Sequence, residues 1–349
     1  MGLHLKPLED QVIVITGASS GIGLTTARMA AKRGARLVLA ARSEDALREL
    51  ADEVNGNGGE AIAVTCDVSK EDDVKRVADA AVDRFGGFDT WVNNAGTGMY
   101  GKIVDTPAAD ARKLYETNVF GILYGSQVAV RHFTSREDKR FDGCLINLGS
   151  VLSDQATPIQ GIYASTKHAI KGLTDSLRME MMADNLPVSV TLIQPAAIDT
   201  PYAEHAPNYT GKENTVPPPA YQPEVVARAI LHAATTPTRD LTVGGALKPT
   251  TMLNKVLPGV VDALMAALMP GAQQKADEPV AAGDTRALTT PSSATDFGAG
   301  RERSTAGHTA LPFSLYTQGR MHPLASAAIL AGAGLLVTAA VGAFASDRD

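Results

Sequence analysis

Val12–Gly23 reads VIVITGASSGIG, an apolar, β-branched run that passes directly into a turn holding glycines 17, 21 and 23. A strand without polar alternation is one buried on both faces, as in a parallel sheet covered by helices. A tight turn from strand to helix needs glycine where a side chain would keep the backbone away from a pyrophosphate. The helix starting near Ile22 would then offer its free N–H groups and positive dipole end to the phosphates. Three glycines alone also describe a merely tight turn. Their position between strand and helix favours a dinucleotide.

The same alternation continues outward. Further strands are expected at Arg36–Ala41, Ala61–Cys66, Thr90–Asn93, Cys144–Leu148, Ser189–Ile193 and Leu241–Val243. Between them lie helical stretches such as Ile22–Arg33, Glu44–Val54, Glu71–Phe85 and Tyr163–Ala183. Apolar strands separated by helices predict a doubly wound α/β fold of the Rossmann type over residues 1–249. About 20 residues beyond the glycines such folds place the residue that reads the adenosine ribose. Here the second strand ends in LAARS, with Arg42 at the turn and no acid before Glu44. A guanidinium matches a 2′-phosphate in charge and fork geometry, so NADP(H) is expected over NAD(H), the alternative being a solvated surface cation.

Tyr163 and Lys167 stand four apart in YASTK and so share one helix face. An unperturbed tyrosine, with a pKa near 10, is a poor base at neutral pH, and a neighbouring ammonium favours its phenolate. With Ser150 after a strand, these residues form a set suited to proton transfer at a carbonyl.

Taken together, the chain resembles a short-chain dehydrogenase/reductase over about residues 8–245. TGASSGIG matches that family's glycine motif, which implies cofactor contacts at Gly17, Ser19, Ser20, Gly21, Ile22 and Gly23. CDV at 66–68 matches its adenine-contacting turn through Asp67 and Val68, and NNAG at 93–96 its mid-sheet motif, with Asn94, Ala95 and Gly96. Asn118, Ser150, Tyr163 and Lys167 match its catalytic set in order. The resemblance implies that Tyr163 exchanges the proton, Ser150 holds the substrate oxygen, Lys167 also grips the nicotinamide ribose, and Asn118 supports Lys167 through a water. Pro195, Ile198 and Thr200 match the segment beside the nicotinamide carboxamide, but Ala196 stands where the family commonly has glycine. The resemblance further implies a homodimer or homotetramer built on the long catalytic helix.

Pro201–Pro223 would form the substrate lid, and its Tyr202, His205 and Tyr209 are expected to be exposed loop residues, the alternative being contact with substrate. The leading expectation is an oxidoreductase acting on a carbonyl or secondary alcohol. Alternatives are a non-catalytic nucleotide-binding sensor or scaffold, and an epimerase or dehydratase that keeps the cofactor. No compact His, Cys and carboxylate set has metal-ligand spacing, so no metal is expected.

A formal net charge of −6 supplies no basic face for nucleic acid. Cys66 and Cys144 lie in apolar runs and are read as buried core residues, not a disulfide framework. The amino terminus has no apolar signal-peptide core, and Lys6 spoils a myristoylation motif at Gly2.

Beyond the seventh strand, apolar residues from Leu253 to Leu268 recur at steps of three and four, predicting an amphipathic helix over 250–270, packed on the domain or on a membrane surface. Residues 271–322, rich in small and polar types, read as a flexible linker. Leu324–Ala345 then carries no charge over 22 residues, about 33 Å as a helix at ~1.5 Å each, so 323–345 is expected to cross a bilayer. Arg301, Arg303 and Arg320 before it place the enzyme domain on the cytoplasmic side, and such a tether suits a lipophilic substrate.

Overall fold

The structure, a computed structural model, describes residues 2–137, 140–245, 247–279, 299–305, 309–323 and 326. Its strands are β1 Val12–Thr16, β2 Arg36–Ala41, β3 Ala61–Thr65, β4 Thr90–Asn93, β5 Gly143–Leu148, β6 Val188–Pro195, β7 Lys212–Asn214, β8 Ala220–Tyr221, β9 Asp240–Val243, β10 Gln274–Pro279 and β11 Ala310–Leu311. The helices are α1 Gly21–Ala31, α2 Glu44–Gly56, α3 Glu71–Phe85, α4 Ala108–Tyr115, α5 Gly121–Ser135, α6 Gly161–Ala183, α7 Tyr202–His205, α8 Pro223–Ala233, α9 Lys248–Asn254, α10 Pro258–Ala272 and α11 Leu315–Met321.

Seven strands form one sheet in the order β3-β2-β1-β4-β5-β6-β9, and every pairing in it is parallel. The side-chain period of two divides β1 between the two faces. Ile13 and Ile15 join the core beneath α1, α2 and α8, while Val12 and Val14 join that beneath α3 and α5. Strand order reverses between β1 and β4, and the crevice at their carboxyl ends is where such sheets take ligands. Cys66 and Cys144 are free, buried thiols, and burial pushes each up to about 12.

The C-terminal expectations need correction. The stripe from Leu253 to Leu268 is not one packed helix. Pro258 opens a new helix after α9, and only Val261 and Met265 of the stripe are buried, while Val256 and Leu268 are 75% and 60% exposed. Residues 271–322 are not a linker throughout. Here β10 pairs antiparallel with β7, β11 pairs parallel with β8, and α11 lies along β9. Met321 enters the main core and Thr317, fully buried, bonds to the carbonyl of Thr242. Short docking segments of this kind need no hydrophobic period, because backbone pairing and single anchors hold them. Residues 280–298, and all of the tail 323–345 except Pro323 and Ser326, lie outside the described residues. Among the described residues no helix is long and apolar enough to cross a membrane.

Candidate active site

The glycine turn is braced from the neighbouring strand. Gly17 has φ +67°, and a Cβ there would stand 2.8 Å from Ala95 Cα. A Cβ on Gly23 would lie 2.1 Å from the Gly17 carbonyl oxygen, so only glycine lets α1 start this close to the turn. Thr16 Oγ1 accepts from the Asn94 and Ala95 amides at 3.1 Å, and Asn94 Nδ2 donates to the Thr16 carbonyl at 2.9 Å. No side chain caps α1, which leaves the turn suited to an anion.

A pocket of about 350 Å³ runs from this turn across the ends of the strands. Gly17, Ser19, Ser20 and Ile22 line one end, beside Arg42, Asp67 and Val68. Asn94, Ala95, Gly96, Ser150, Tyr163, Lys167, Pro195 and Ile198 also line it, and Thr200 lies against the turn itself, 3.2 Å from where a Cβ on Gly21 would stand. Gly21, Gly23 and Asn118 stand behind this surface. Burial draws the Arg42 guanidinium down and the Asp67 carboxylate draws it back up.

Ser150 follows β5 and caps a short 3₁₀ turn, its Oγ accepting from the Leu152 amide at 3.1 Å. Burial pushes the Tyr163 phenol above its ordinary pKa, while the Tyr202 and Ser150 hydroxyls facing it pull it down. Lys167 Nζ lies 5.5 Å from the Tyr163 ring centroid and donates to the Leu148 carbonyl at 2.9 Å. Burial lowers the ammonium to about 8. Asn118 occupies a single π-helical turn, Glu116–Phe120, between α4 and α5. Its Oδ1 accepts from the Thr97 amide at 3.0 Å, and its Nδ2 donates to the Thr97 carbonyl and to Thr166 Oγ1. It makes no direct bond to Lys167. The two flank Gly96, where a Cβ would stand 3.2 Å from Asn118 Oδ1 and 3.9 Å from Lys167 Nζ.

Ala196 is accommodated by its neighbour. Its amide donates to the Val243 carbonyl at 2.8 Å, and a Cβ on Gly244 would stand 2.9 Å from its methyl. Gly244 therefore yields the space that the methyl takes.

Other residues at the site were not legible as such. Tyr202 and Tyr209, expected to be exposed, are half-buried. Tyr202 Oη is buried without a completed hydrogen bond and its ring centroid lies 5.5 Å from that of Tyr163. Tyr209 Oη donates to Asp110 Oδ2 at 2.8 Å, a structural tie between lid and α4. For His205 only the backbone is described. Leu247, Met269 and Gln273 bring the C-terminal segment into the pocket wall. Gln273 Nε2 donates to Thr157 Oγ1 and the Pro158 carbonyl, and its buried Oε1 has no partner. Only the aromatic lid composition hinted at Tyr202, and nothing local marked Gln273.

These residues fit a dinucleotide: a glycine turn that excludes side chains, a helix start without a side-chain cap, and a buried ammonium whose bond is to a carbonyl. Among the described residues no group of three or more His, Cys, Asp and Glu could hold a metal.

The fold and site define a Rossmann-like α/β protein whose pocket brings Ser150, Tyr163 and Lys167 together. The family model described as short chain dehydrogenase matches residues 11–209. The chain belongs to that family of oxidoreductases. It is similar to an uncharacterized oxidoreductase of Bacillus subtilis, 46% identical over 337 residues, covering 95% of this chain and 90% of that one. An uncharacterized oxidoreductase of Staphylococcus saprophyticus is 32% identical over 67% of this chain and 93% of its own. Among solved structures, a short chain dehydrogenase/reductase from Burkholderia phymatum in complex with NAD is 25% identical, with a TM-score of 0.65 over 79% of this chain and 100% of that one. An alcohol dehydrogenase from Thermococcus sibiricus complexed with 5-hydroxy-NADP is 27% identical, with a TM-score of 0.58 over 66% of this chain and 95% of that one.

Proposed function

We propose that the chain is an NADP(H)-dependent oxidoreductase interconverting a carbonyl and a secondary alcohol on a lipophilic substrate. The observation that carries this reading is the meeting of Ser150, Tyr163 and Lys167 with the glycine turn in one pocket. The bound nicotinamide supplies or accepts the hydride. In the reducing direction Tyr163 passes its phenolic proton to the substrate oxygen, which Ser150 holds by a second hydrogen bond. Burial keeps that proton on the phenol until charge develops on the oxygen. Lys167 stabilises the phenolate left behind and holds the nicotinamide ribose, with Asn118 on the relay behind it. Arg42 in the pocket wall supports the choice of NADP(H).

Tyr163→Phe is expected to lower carbonyl-dependent NADPH oxidation by about 10²–10⁴-fold while leaving the cofactor Kd nearly unchanged. Unchanged turnover would overturn Tyr163 as the proton donor, and binding of NADPH without oxidation by any carbonyl offered to the wild type would return the chain to the class of cofactor-binding sensors.

The uncharged tail supports a membrane tether with the enzyme domain in the cytoplasm, and the exposed apolar side of α9 and α10 supports contact with lipid. Exposed Met179 and Met182 on α6 support a homodimer or homotetramer through that helix.

A further inference from the structure

Residues 299–305 lie on the glycine turn, although nearly 280 positions separate them from it in sequence. The Gly300 amide donates to the Ser19 carbonyl at 2.8 Å, and the Gly21 amide donates to the Arg301 carbonyl at 2.9 Å. Glu302 pairs with Arg28 of α1 at 2.8 Å. The same segment reaches across to the opposite wall. Arg301 Nη2 pairs with Glu204 Oε2 of α7 at 2.7 Å, and the other oxygen of Glu204 accepts from Ser304 Oγ and from the amide and hydroxyl of Thr305. Arg303 pairs with Glu224 of α8 at 2.8 Å. These bonds tie the phosphate turn to the helix that presents Tyr202 to Tyr163.

Arg301 also keeps Nη1 buried and without a partner. A buried guanidinium nitrogen with no acceptor is costly, and an anionic oxygen brought in from outside the chain would satisfy it. The group expected beside Ser19, Ser20 and the start of α1 is a pyrophosphate. The Bacillus subtilis relative aligns over 95% of this chain, so its match reaches through this segment.

We propose that residues 299–305 form a strap closing the phosphate side of the cofactor cleft, in which Arg301 supplies a cation to the dinucleotide's pyrophosphate. Arg301 is then a cofactor-binding residue, and Glu204 positions it. The inference rests on the dinucleotide reading of the site, but not on the choice between NADP(H) and NAD(H).

The test is direct titration of the full-length protein with NADPH and NADH, followed by calorimetry or nucleotide fluorescence. Arg301→Ala is expected to raise both Kd values about tenfold or more, because both dinucleotides carry the pyrophosphate. Arg301→Lys should recover part of the loss, and the salt dependence of Kd should be shallower in Arg301→Ala than in the wild type. Glu204→Gln, which loosens the strap but leaves the guanidinium, should speed NADPH release in stopped-flow displacement. Arg42→Ala serves as contrast and should weaken NADPH alone. Equal affinities in the wild type and Arg301→Ala overturn the proposal, as does a loss confined to NADPH, which would place Arg301 at the 2′-phosphate. Absence of binding in the wild type instead overturns the dinucleotide reading itself.

Discussion

Lys167 is buried on α6 with the Leu148 carbonyl as its hydrogen-bond partner, and burial depresses its pKa from 10.5 to about 8. Its unfolded form therefore holds the proton more tightly than the folded one. Below about pH 8 folding bears the full penalty of the buried ammonium, and stability is recovered as pH rises from about 8 to about 10.5. That displacement corresponds to about 3 kcal/mol. Lys167→Met should accordingly stabilise the cofactor-free protein in urea unfolding at pH 7, with a gain that shrinks towards pH 10.5, while abolishing turnover. A gain independent of pH would separate the effect from the ammonium. In the wild type, kcat/KM for carbonyl reduction should fall above about pH 8 as Lys167 loses its proton. The motif residues were readable because backbone geometry demands them. Gly17 and Gly23 admit no Cβ, and Tyr163 and Lys167 need a spacing of four. Tyr202 was legible only as one lid residue among several, since its ring meets that of Tyr163, 5.5 Å between centroids, across elements that no local pattern joins.

At the scale of elements, β1, β2 and β4 occupy the residues expected of them, and β3, β5, β6 and β9 differ by one or two at their ends. Continuous apolar runs bounded by turns leave little freedom there. The π-turn at Asn118 was invisible, because one extra residue in a helical turn leaves the apolar period almost untouched. The α9–α10 stripe was visible as a pattern, but its partner was not. Periodicity reports that a face is apolar without saying what covers it. The start of α1 offers a sharp test of the turn. Gly23→Ala must push the helix off the Gly17 carbonyl, now 2.1 Å from the added methyl. Loss of dinucleotide binding is expected, together with a destabilisation of at least about 1–3 kcal/mol by denaturant titration. A variant that binds NADPH normally would show that α1 can shift without losing the phosphate site.

For the whole molecule, two regions with no place in the family core finish the pocket and the surface. Met269 and Gln273 line the pocket, and α10 with the turn before it presents Val256, Leu257, Val260, Leu264 and Leu268 to solvent. A patch of this kind in a chain whose sequence also carries an uncharged tail predicts that the full-length protein resists alkaline extraction from membranes. It further predicts that Leu264→Glu with Leu268→Glu weakens turnover of a bilayer-dissolved ketone more than that of a short soluble one. Full release at alkaline pH would rule out the tether, and equal effects on both ketones would rule out lipid contact by α10. The docked parts of 271–322 escaped sequence reading for a physical reason. Gly300, Arg301 and Glu302 hold through backbone amides and ion pairs, which leave no hydrophobic signature.

The pairing of Arg28 with Glu302 spans 274 positions. At about 5–20 residues per second, a ribosome needs on the order of tens of seconds to make the second partner after the first. Within that interval the whole seven-stranded sheet is made, ending at Val243, so the glycine turn and its brace from Asn94 and Ala95 are complete before the strap. On the proposed reading, a nascent chain would be able to take up its nucleotide before the strap exists, and the last part of translation would shut the door behind it.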